Sequence, residues 1–185
     1  MAADPRDDAA LDAALIARWQ QGDERAARAL VDRHASAVAR FVSSLGSRDE
    51  ADEIVQDTFV RAFGALESFR ADSALRTWLF TIARRLVLDR RRSVRRRGIQ
   101  VEVAEDDVVT DDNPLESLVA DETQQRLLQA VDRLTPTQKS VFTLRVTEGL
   151  SYKDIAEIVG STEGAARVHY HHAMRSVKEF LDVHA

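Results

Sequence analysis

Apolar side chains recur at helical spacing, three and four residues apart, through most of the chain. Prolines stand only at positions 5, 114 and 136, so more than a hundred consecutive residues contain none. Because proline interrupts helices more strongly than any other residue, this stretch favours long helices. The pattern predicts an all-α protein whose first half forms four helices, at about 8–21, 23–45, 47–66 and 73–97. Ser47 is the expected N-cap of the third helix and Ser73 that of the fourth.

The second half of the chain contains clear signals for where helices begin. Thr135, Pro136 and Gln138 have the pattern of a capping box with proline in the first turn. Ser151 is placed to cap a short helix, and a tight turn at 160–162 separates it from a longer one. The longer helix has an apolar stripe at helical spacing, formed by Ala166, Tyr170, Ala173, Val177 and Leu181. Two helices joined in this way predict a helix-turn-helix, whose second helix enters the major groove of DNA; a helical hairpin that only completes a core is the alternative. Its predicted outward residues are Arg167, Val168, His169, His171, His172, Arg175 and Lys178.

The fourth helix has an uneven distribution of charge. Its apolar face ends near Leu88, and arginines occupy every face of the two turns that follow. A small domain cannot pair all of these cations internally, so the sequence predicts a basic rod whose arginines meet phosphates, an acidic partner or simply water. Trp78 and Phe80 near the start of the helix, and Phe69 before it, are aromatic groups that can stack on unpaired bases. A core position is the alternative for Trp78.

Composition limits the function. The 185 residues include 26 Lys and Arg, 31 Asp and Glu and no cysteine, with a formal net charge of -5. The lack of cysteine excludes disulfides, iron–sulfur clusters and thiol nucleophiles. The N-terminal segment is acidic without an apolar run, unlike a signal peptide, and no apolar run approaches the roughly 20 residues that span a bilayer. These features predict a cytoplasmic protein, and the net acidity alone argues against a nucleic-acid partner.

The net charge hides four blocks of different sign. Their net charges are -5 for residues 1–69, +8 for 70–97, -9 for 98–122 and +1 for 123–185. A basic segment directly beside an acidic one is a strong asymmetry and indicates a charged partner. The acidic segment lacks helical periodicity, so it is predicted to be a flexible linker between two small helical domains.

Three motifs resemble those of one protein family. They are DEADEIVQDTFVRAF at 49–63, FRADSALRTWLFTIARRLVLDRRR at 69–92, and the segment 134–174 with the helix-turn-helix. In this order they resemble the extracytoplasmic-function (ECF, group IV) sigma factors of bacterial RNA polymerase, over about residues 15–181. The resemblance implies no region-one or folded region-three domain. It implies a region-two helical bundle at 10–97, an acidic linker at 98–122 and a region-four domain at 123–183.

The resemblance implies an alternative sigma factor, without catalytic chemistry, cofactor or metal of its own. Such a protein binds core RNA polymerase, recognises the minus-ten and minus-35 promoter elements and promotes strand opening. Its partners are the β′ coiled coil and the β subunit of polymerase, promoter DNA, and in some members an anti-sigma factor or a kinase. The residues that match the family's contact with the β′ coiled coil are Asp52, Glu53, Gln56, Asp57 and Phe59.

The family also implies two sets of DNA-contacting residues. Those that match the capture of a flipped base of the minus-ten element and the contact with the melted strand are Phe69, Arg70, Ala71, Asp72, Ser73, Arg76, Trp78, Arg84, Arg85 and Arg91. Those that match the minus-35 readers are Arg167, Val168, His169, His171, His172 and Arg175. Arg84 and Arg91 are expected to point outward, so that alanine at either position weakens open-complex formation more than core binding.

Two departures from the family pattern concern specificity. Arg85 stands where relatives usually have asparagine, so the captured base is not inferred from relatives. The recognition helix has three histidines where permanent cations are more common, and neutral imidazoles attract phosphate less strongly, so the minus-35 preference is not inferred either. His169 and His172 share a helix face, but no carboxylate or cysteine accompanies them, which disfavours zinc.

Two other functions fit parts of the sequence. A stand-alone helix-turn-helix repressor or activator would use its first half for dimerisation or ligand binding and would bind an operator without polymerase. A metal-dependent nuclease would need carboxylates that converge on Mg²⁺, whereas the acids here lie on one helix face or in the linker. His34 lies on an apolar stripe and is predicted to be a core or boundary residue.

The adjoining blocks of opposite charge lead to one regulatory hypothesis. In the free protein the acidic linker folds back onto the basic helix and suppresses DNA binding until polymerase separates them. The hypothesis predicts that neutral linker variants of the free protein bind DNA more tightly at low salt.

Overall fold

A computed structural model describes residues 5–47, 49–66, 69, 74–96 and 122–183, and the chain divides into two compact units between Arg91 and Arg92. Every regular element of the described residues is an α-helix, which confirms the all-α class and its two small helical domains. The first four helices are α1 (Pro5–Gln20), α2 (Glu24–Ser44), α3 (Ala51–Ala65) and α4 (Leu75–Arg96). The last four are α5 (Glu122–Asp132), α6 (Pro136–Val146), α7 (Tyr152–Val159) and α8 (Glu163–Val183).

Local capping explains several helix boundaries. The Thr135 side chain accepts from the Gln138 backbone N–H while the Gln138 side chain accepts from the Thr135 N–H, which completes the predicted capping box of α6. Ser151 caps α7 by accepting from the Asp154 N–H. Gly160 ends α7 with a φ of 68°, a left-handed conformation that glycine adopts without steric strain. These boundaries were all predicted from the sequence.

The start of α3 differs from its prediction. Ser47 was expected to cap the helix, but α3 begins at Ala51, and Glu50 at the N-cap position makes no side-chain capping bond. The reason is the turn that follows α2, where Gly46 has a φ of 82° and residues 49 and 50 form a further turn. Ser47 therefore lies before that turn. The expected cap of α4, Ser73, lies outside the described residues.

The core of the first unit is built from the apolar stripes of α2, α3 and α4. Phe41 of α2 and Phe80 of α4 are fully buried, with ring centroids 5.1 Å apart. The prediction that Phe80 joins Trp78 in stacking on bases is therefore wrong. Side chains two positions apart on a helix point about 200° apart, so the two rings lie on opposite faces.

The core of the second unit surrounds α8, which packs against α5, α6 and α7. Ala166, Ala173 and Val177 form its buried stripe at the predicted spacing. On α6, Val141 and Leu144 are buried and lie three residues apart on one face. Val146 is five residues after Val141, so it is turned about 140° away from Val141, and it is 54% exposed.

A buried polar network joins α1 to α2 in the first unit. Asp12 and His34 are 6% and 7% exposed, and His34 Nε2 lies 3.0 Å from Asp12 Oδ2. Arg33 Nε donates to Asp12 Oδ1 at 3.0 Å, and Arg33 Nη2 donates to Asp8 at 2.9 Å. Burial alone raises the pKa of Asp12, but hydrogen bonds from His34 and Arg33 outweigh it and lower that pKa below its ordinary value. His34 is thus the core residue that its apolar stripe predicted.

Asp12→Asn is expected to destabilise the first unit by about 2 kcal/mol at pH 7, since a buried charge-assisted network loses its acceptor. A lowered folded pKa means that Asp12 stabilises the fold above its ordinary pKa of 3.8 and that this contribution is lost as the pH falls through the folded value. The difference in free energy of unfolding between the variant and the parent should therefore become smaller as the pH falls from 7 to 3. Urea unfolding followed by tryptophan fluorescence measures it, because the protein's two tryptophans, Trp19 and Trp78, both lie in the first unit.

The exposed Asp32 of α2 offers a matched control for this charge change. Asp32→Asn should leave the unfolding midpoint unchanged at both pH values. A difference between Asp12→Asn and the parent that stays constant from pH 7 to pH 3 would contradict the assignment of the stabilisation to the ionised carboxylate.

Candidate nucleic-acid and partner interfaces

One side of α3 presents polar and acidic side chains to solvent. Asp52, Glu53 and Gln56 are exposed and Asp57 is partly exposed; these four residues are called the acidic face below. Phe59, the fifth residue that the sequence placed in the polymerase contact, is only 6% exposed. Its ring packs 6.2 Å from that of Phe63. Phe59 therefore supports the helix from within the core, and the acidic face forms the surface.

An arginine from α4 reaches across to the acidic face. Arg90 Nη1 donates to Glu53 at 2.9 Å and Arg90 Nη2 donates to Asp57 at 3.0 Å, while Glu50 lies 3.8 Å from Nη1. The hydrogen bond to Glu53 raises the pKa of Arg90, and in return lowers the pKa of Glu53. Sequence reasoning placed Arg90 in a solvated basic rod. The signal that locates it correctly is helical spacing, because Arg90 continues the buried stripe of Leu79, Ala83 and Leu86.

Three further arginines of α4, at positions 84, 85 and 91, differ in their contacts. Arg91 Nη2 donates to the backbone carbonyl of Leu45, the C-cap residue of α2, so it does not point outward as predicted. Arg84 is half-buried and Arg85 is exposed, and neither has a hydrogen bond or ion pair within the described part of the chain. Burial lowers the pKa of Arg84. A cation that has already lost part of its hydration gains more from an anion, so Arg84 is well placed to bind one, and the exposed Arg85 lies beside it.

Two aromatic rings stand near the start of α4. Phe69 and Trp78 are partly exposed and their ring centroids lie 5.1 Å apart. Trp78 is therefore neither the fully buried core residue nor the isolated platform that the sequence left open. Arg85 follows Trp78 by seven residues, two turns along the same helix face. Arg76 lies 5.8 Å from the ring of Phe80, while Arg70, Ala71, Asp72 and Ser73 lie outside the described residues.

The outward face of α8 has the composition that its pattern predicted. Arg167, His171, His172 and Arg175 are exposed, Val168 is 52% exposed, and His169 is partly buried. Arg167 forms an ion pair with Glu163 one turn earlier, at 2.5 Å. No carboxylate of the described residues is hydrogen-bonded or ion-paired to the three histidines. Their ring nitrogens are thus available to bases or phosphates.

The ring of Tyr152 connects the helices of the helix-turn-helix. The guanidinium carbons of Arg145 and Arg167 lie 4.8 and 4.9 Å from its centroid, and Tyr170 packs edge-on at 5.9 Å. Arg145 also donates to the Leu150 carbonyl at 2.7 Å. These contacts join α6, α7 and α8 and fix the direction in which Arg167 leaves α8. The sequence did not single out Tyr152 or Arg145, since their pairing depends on tertiary structure.

Among the residues that the structure describes, no group of three or more His, Asp or Glu side chains lies close enough together to hold a metal ion. None of the described helices is long and apolar enough to cross a membrane.

Comparisons with known proteins match both halves of the chain. The family model "Sigma-70 region 2" matches residues 30–97, and "Sigma-70, region 4" matches residues 124–177. The ECF RNA polymerase sigma-E factor of Haemophilus influenzae is 36% identical over 165 residues, covering 84% of this chain and 87% of the relative. The ECF RNA polymerase sigma-E factor of Escherichia coli K12 is 34% identical, covering 84% and 86%.

Two solved structures have a similar fold. The sigma factor RpoE from Bartonella quintana, crystallised with the anti-sigma factor NepR, superposes with a TM-score of 0.68 at 27% identity, covering 84% of this chain and 96% of the other. CnrH, in complex with the cytosolic domain of CnrY, superposes with a TM-score of 0.69 at 26% identity, covering 95% and 99%.

Proposed function

The chain belongs to the ECF sigma factors of RNA polymerase, and we propose from this premise which of its surfaces bind polymerase and which bind promoter DNA. As a member of this family it is an alternative sigma factor for promoter recognition and transcription initiation. The domain at 10–97 binds core polymerase and the minus-ten element, the segment 98–122 links the domains, and the domain at 123–183 binds the minus-35 element.

The acidic face of α3 binds core polymerase in this proposal. Its four residues are the ones that solvent can reach among the five that match the family's polymerase contact, and its charge suits a basic partner surface. Phe59 acts by keeping α3 in place, because its ring is buried. The polymerase partners are the β′ coiled coil for this face and the β subunit for the second domain.

The arrangement of α4 supports strand opening most directly. Phe69 and Trp78 form an aromatic pair, and Arg85 follows on the same face with Arg84 beside it. Unpaired bases stack on aromatic rings while cations hold the backbone, at about 1–3 kcal/mol per stacked base. Double-stranded DNA cannot place its bases on such a platform. Binding therefore favours the melted strand and offsets the cost of unstacking, without covalent chemistry.

The outward face of α8 reads the minus-35 element. The N-terminal half of a recognition helix contacts base edges, and its outward residues here are Arg167, Val168 and His169, followed by His171 and His172. Val168 suits a thymine methyl group and Arg167 suits guanine or phosphate. Tyr152 and Arg145 set the direction of Arg167.

Run-off transcription tests this function. Core polymerase from the organism that encodes the chain is mixed with the protein and a pool of barcoded linear templates randomised across both promoter elements. We expect transcripts only when core and protein are both present, and enrichment of sequence at two separated elements. Tight binding of a DNA site by the protein without core would favour the repressor model instead, and absence of both transcripts and core binding would refute the proposal.

The finer assignments follow from the same role. We place the protein in group IV and in the cytoplasm, where polymerase and DNA are found, and assign it no catalytic activity of its own. An anti-sigma factor is a proposed partner because the similar RpoE structure contains one.

A further inference from the structure

Three acids of α3 are drawn together by a single guanidinium. Glu50, Glu53 and Asp57 follow one another at intervals of three and four residues, so they lie along one side of the helix. The Arg90 side chain is only 22% exposed, whereas Glu53 and Asp57 are 67% and 45% exposed. The acids thus remain open to a partner while the arginine lies between them and the helix core.

Carboxylates in this arrangement repel one another. Like charges four residues apart on a helix destabilise each other, and free Glu and Asp side chains sample several rotamers. The guanidinium is planar and has its donors in a rigid fork, so bonding Glu53 through Nη1 and Asp57 through Nη2 fixes both carboxylates relative to α4. A partner that binds them then loses less conformational entropy, because they are already ordered.

Arg90 itself has little access to DNA in this position. Its Nη1 and Nη2 both donate to carboxylates of α3. Arg84 and Arg85, one to two turns earlier on the same helix, have no such partners among the described residues. The arginines of α4 therefore differ in role although the sequence presents them as one basic run.

We propose that Arg90 is a positioning residue for core polymerase, which orders Glu53 and Asp57 into the geometry that the polymerase binds. The inference rests on the proposed function, in which the acidic face contacts core. It adds a residue of the basic helix to the polymerase contact and removes that residue from the DNA contact.

The test measures the affinity of the fluorescently labelled full-length protein for core polymerase by anisotropy. Arg90→Ala should weaken binding about fivefold or more, as expected for a directly coupled pair. Arg90→Lys should restore part of the loss, because it returns the charge without the fork. Arg28→Ala, which removes an exposed arginine of α2 in the same unit, is the control and should bind core as the parent does. Tryptophan fluorescence melting checks that each variant retains the fold of the first unit.

Repeating the Arg90→Ala substitution in a variant that lacks both carboxylates separates a positioning role of Arg90 from a general effect on stability. In the double variant Glu53→Gln, Asp57→Asn, which should itself bind core more weakly, adding Arg90→Ala should cost no further affinity. If the double variant binds core normally, the acidic face is not the contact, and both the proposed function of that face and this inference fail. If the double variant is weakened but Arg90→Ala binds as the parent does, or loses equal affinity in both backgrounds, the role of Arg90 alone is overturned.

Discussion

Replacing Arg84 and Arg85 together by alanine is expected to reduce open-complex formation at least about 30-fold, with binding to core polymerase unchanged within about twofold. Each contact between an arginine and a phosphate or base contributes roughly 1–3 kcal/mol, and two are removed. Neither guanidinium has a hydrogen bond or ion pair within the described residues, so their loss leaves no buried acid unpaired. Permanganate footprinting of the template selected by run-off transcription measures the melted fraction.

The structure supplies two comparisons for this result. Arg28→Ala removes an exposed arginine of α2 in the same unit and should melt DNA as the parent does. Arg91→Ala removes the donor to the Leu45 carbonyl, so its main effect should be a lower unfolding midpoint. Melting should also become less sensitive to salt in the double variant. The slope of the logarithm of the open-complex equilibrium constant against the logarithm of the salt concentration should become shallower by about 1.4, for two lost single-strand contacts. Normal melting by the double variant would refute the role assigned to α4.

Short-range signals in the sequence predicted the helix-turn-helix well. The cap at Ser151, the glycine at 160 and the apolar positions of α7 and α8 lie within a few residues of the structure that they determine. The stripe of Ala166, Ala173 and Val177 is buried as the spacing predicted, and Val168 and Met174 between these positions are exposed. Helical periodicity predicts such faces because side chains three and four residues apart lie on the same side of a helix.

The arginines of α4 were harder to interpret because their partners are distant in sequence. Arg90 meets acids 33 and 37 residues earlier, and Arg91 meets a carbonyl 46 residues earlier. Counting charge along the chain shows an excess of cations but not which of them the fold neutralises. Phe80 was misinterpreted for a related reason. It is close to Trp78 in the sequence, which suggested a shared surface, but it lies on the opposite face of α4 and packs against Phe41 in the core.

The positive charges of residues 70–97 therefore do not all serve the same purpose. Part of the positive block is used within the first unit, where Arg90 bonds Glu53 and Asp57 of the negative one. What remains for nucleic acid is a smaller and better-defined group around Arg84 and Arg85. The proposed fold-back of the acidic linker onto the basic helix concerns this remaining group, and the linker lies outside the described residues.

Replacing His169, His171 and His172 together by alanine is expected to lower transcription from the selected template at least about tenfold. The imidazoles are hydrogen-bonded to no carboxylate of the described residues, so they are available to DNA, and single base or phosphate contacts contribute about 1–3 kcal/mol. Alanine has the highest helix propensity, so α8 should keep its structure. The measurement is the ratio of run-off transcripts from two templates in one reaction, one with the selected minus-35 element and one with that element scrambled.

The ratio isolates the histidines because polymerase activity, strand opening and elongation affect both templates alike. For the parent protein the intact element should give the larger signal, and for the triple variant the two templates should become nearly equal. Lys178→Ala is the control, since Lys178 is exposed on α8 more than one turn beyond His172, where a recognition helix has left the base edges. If the triple variant still prefers the intact element as strongly as the parent, then Arg167 and Val168 read it alone. The histidines would in that case be surface residues of a helix whose specificity is set by Arg167 and Val168 alone.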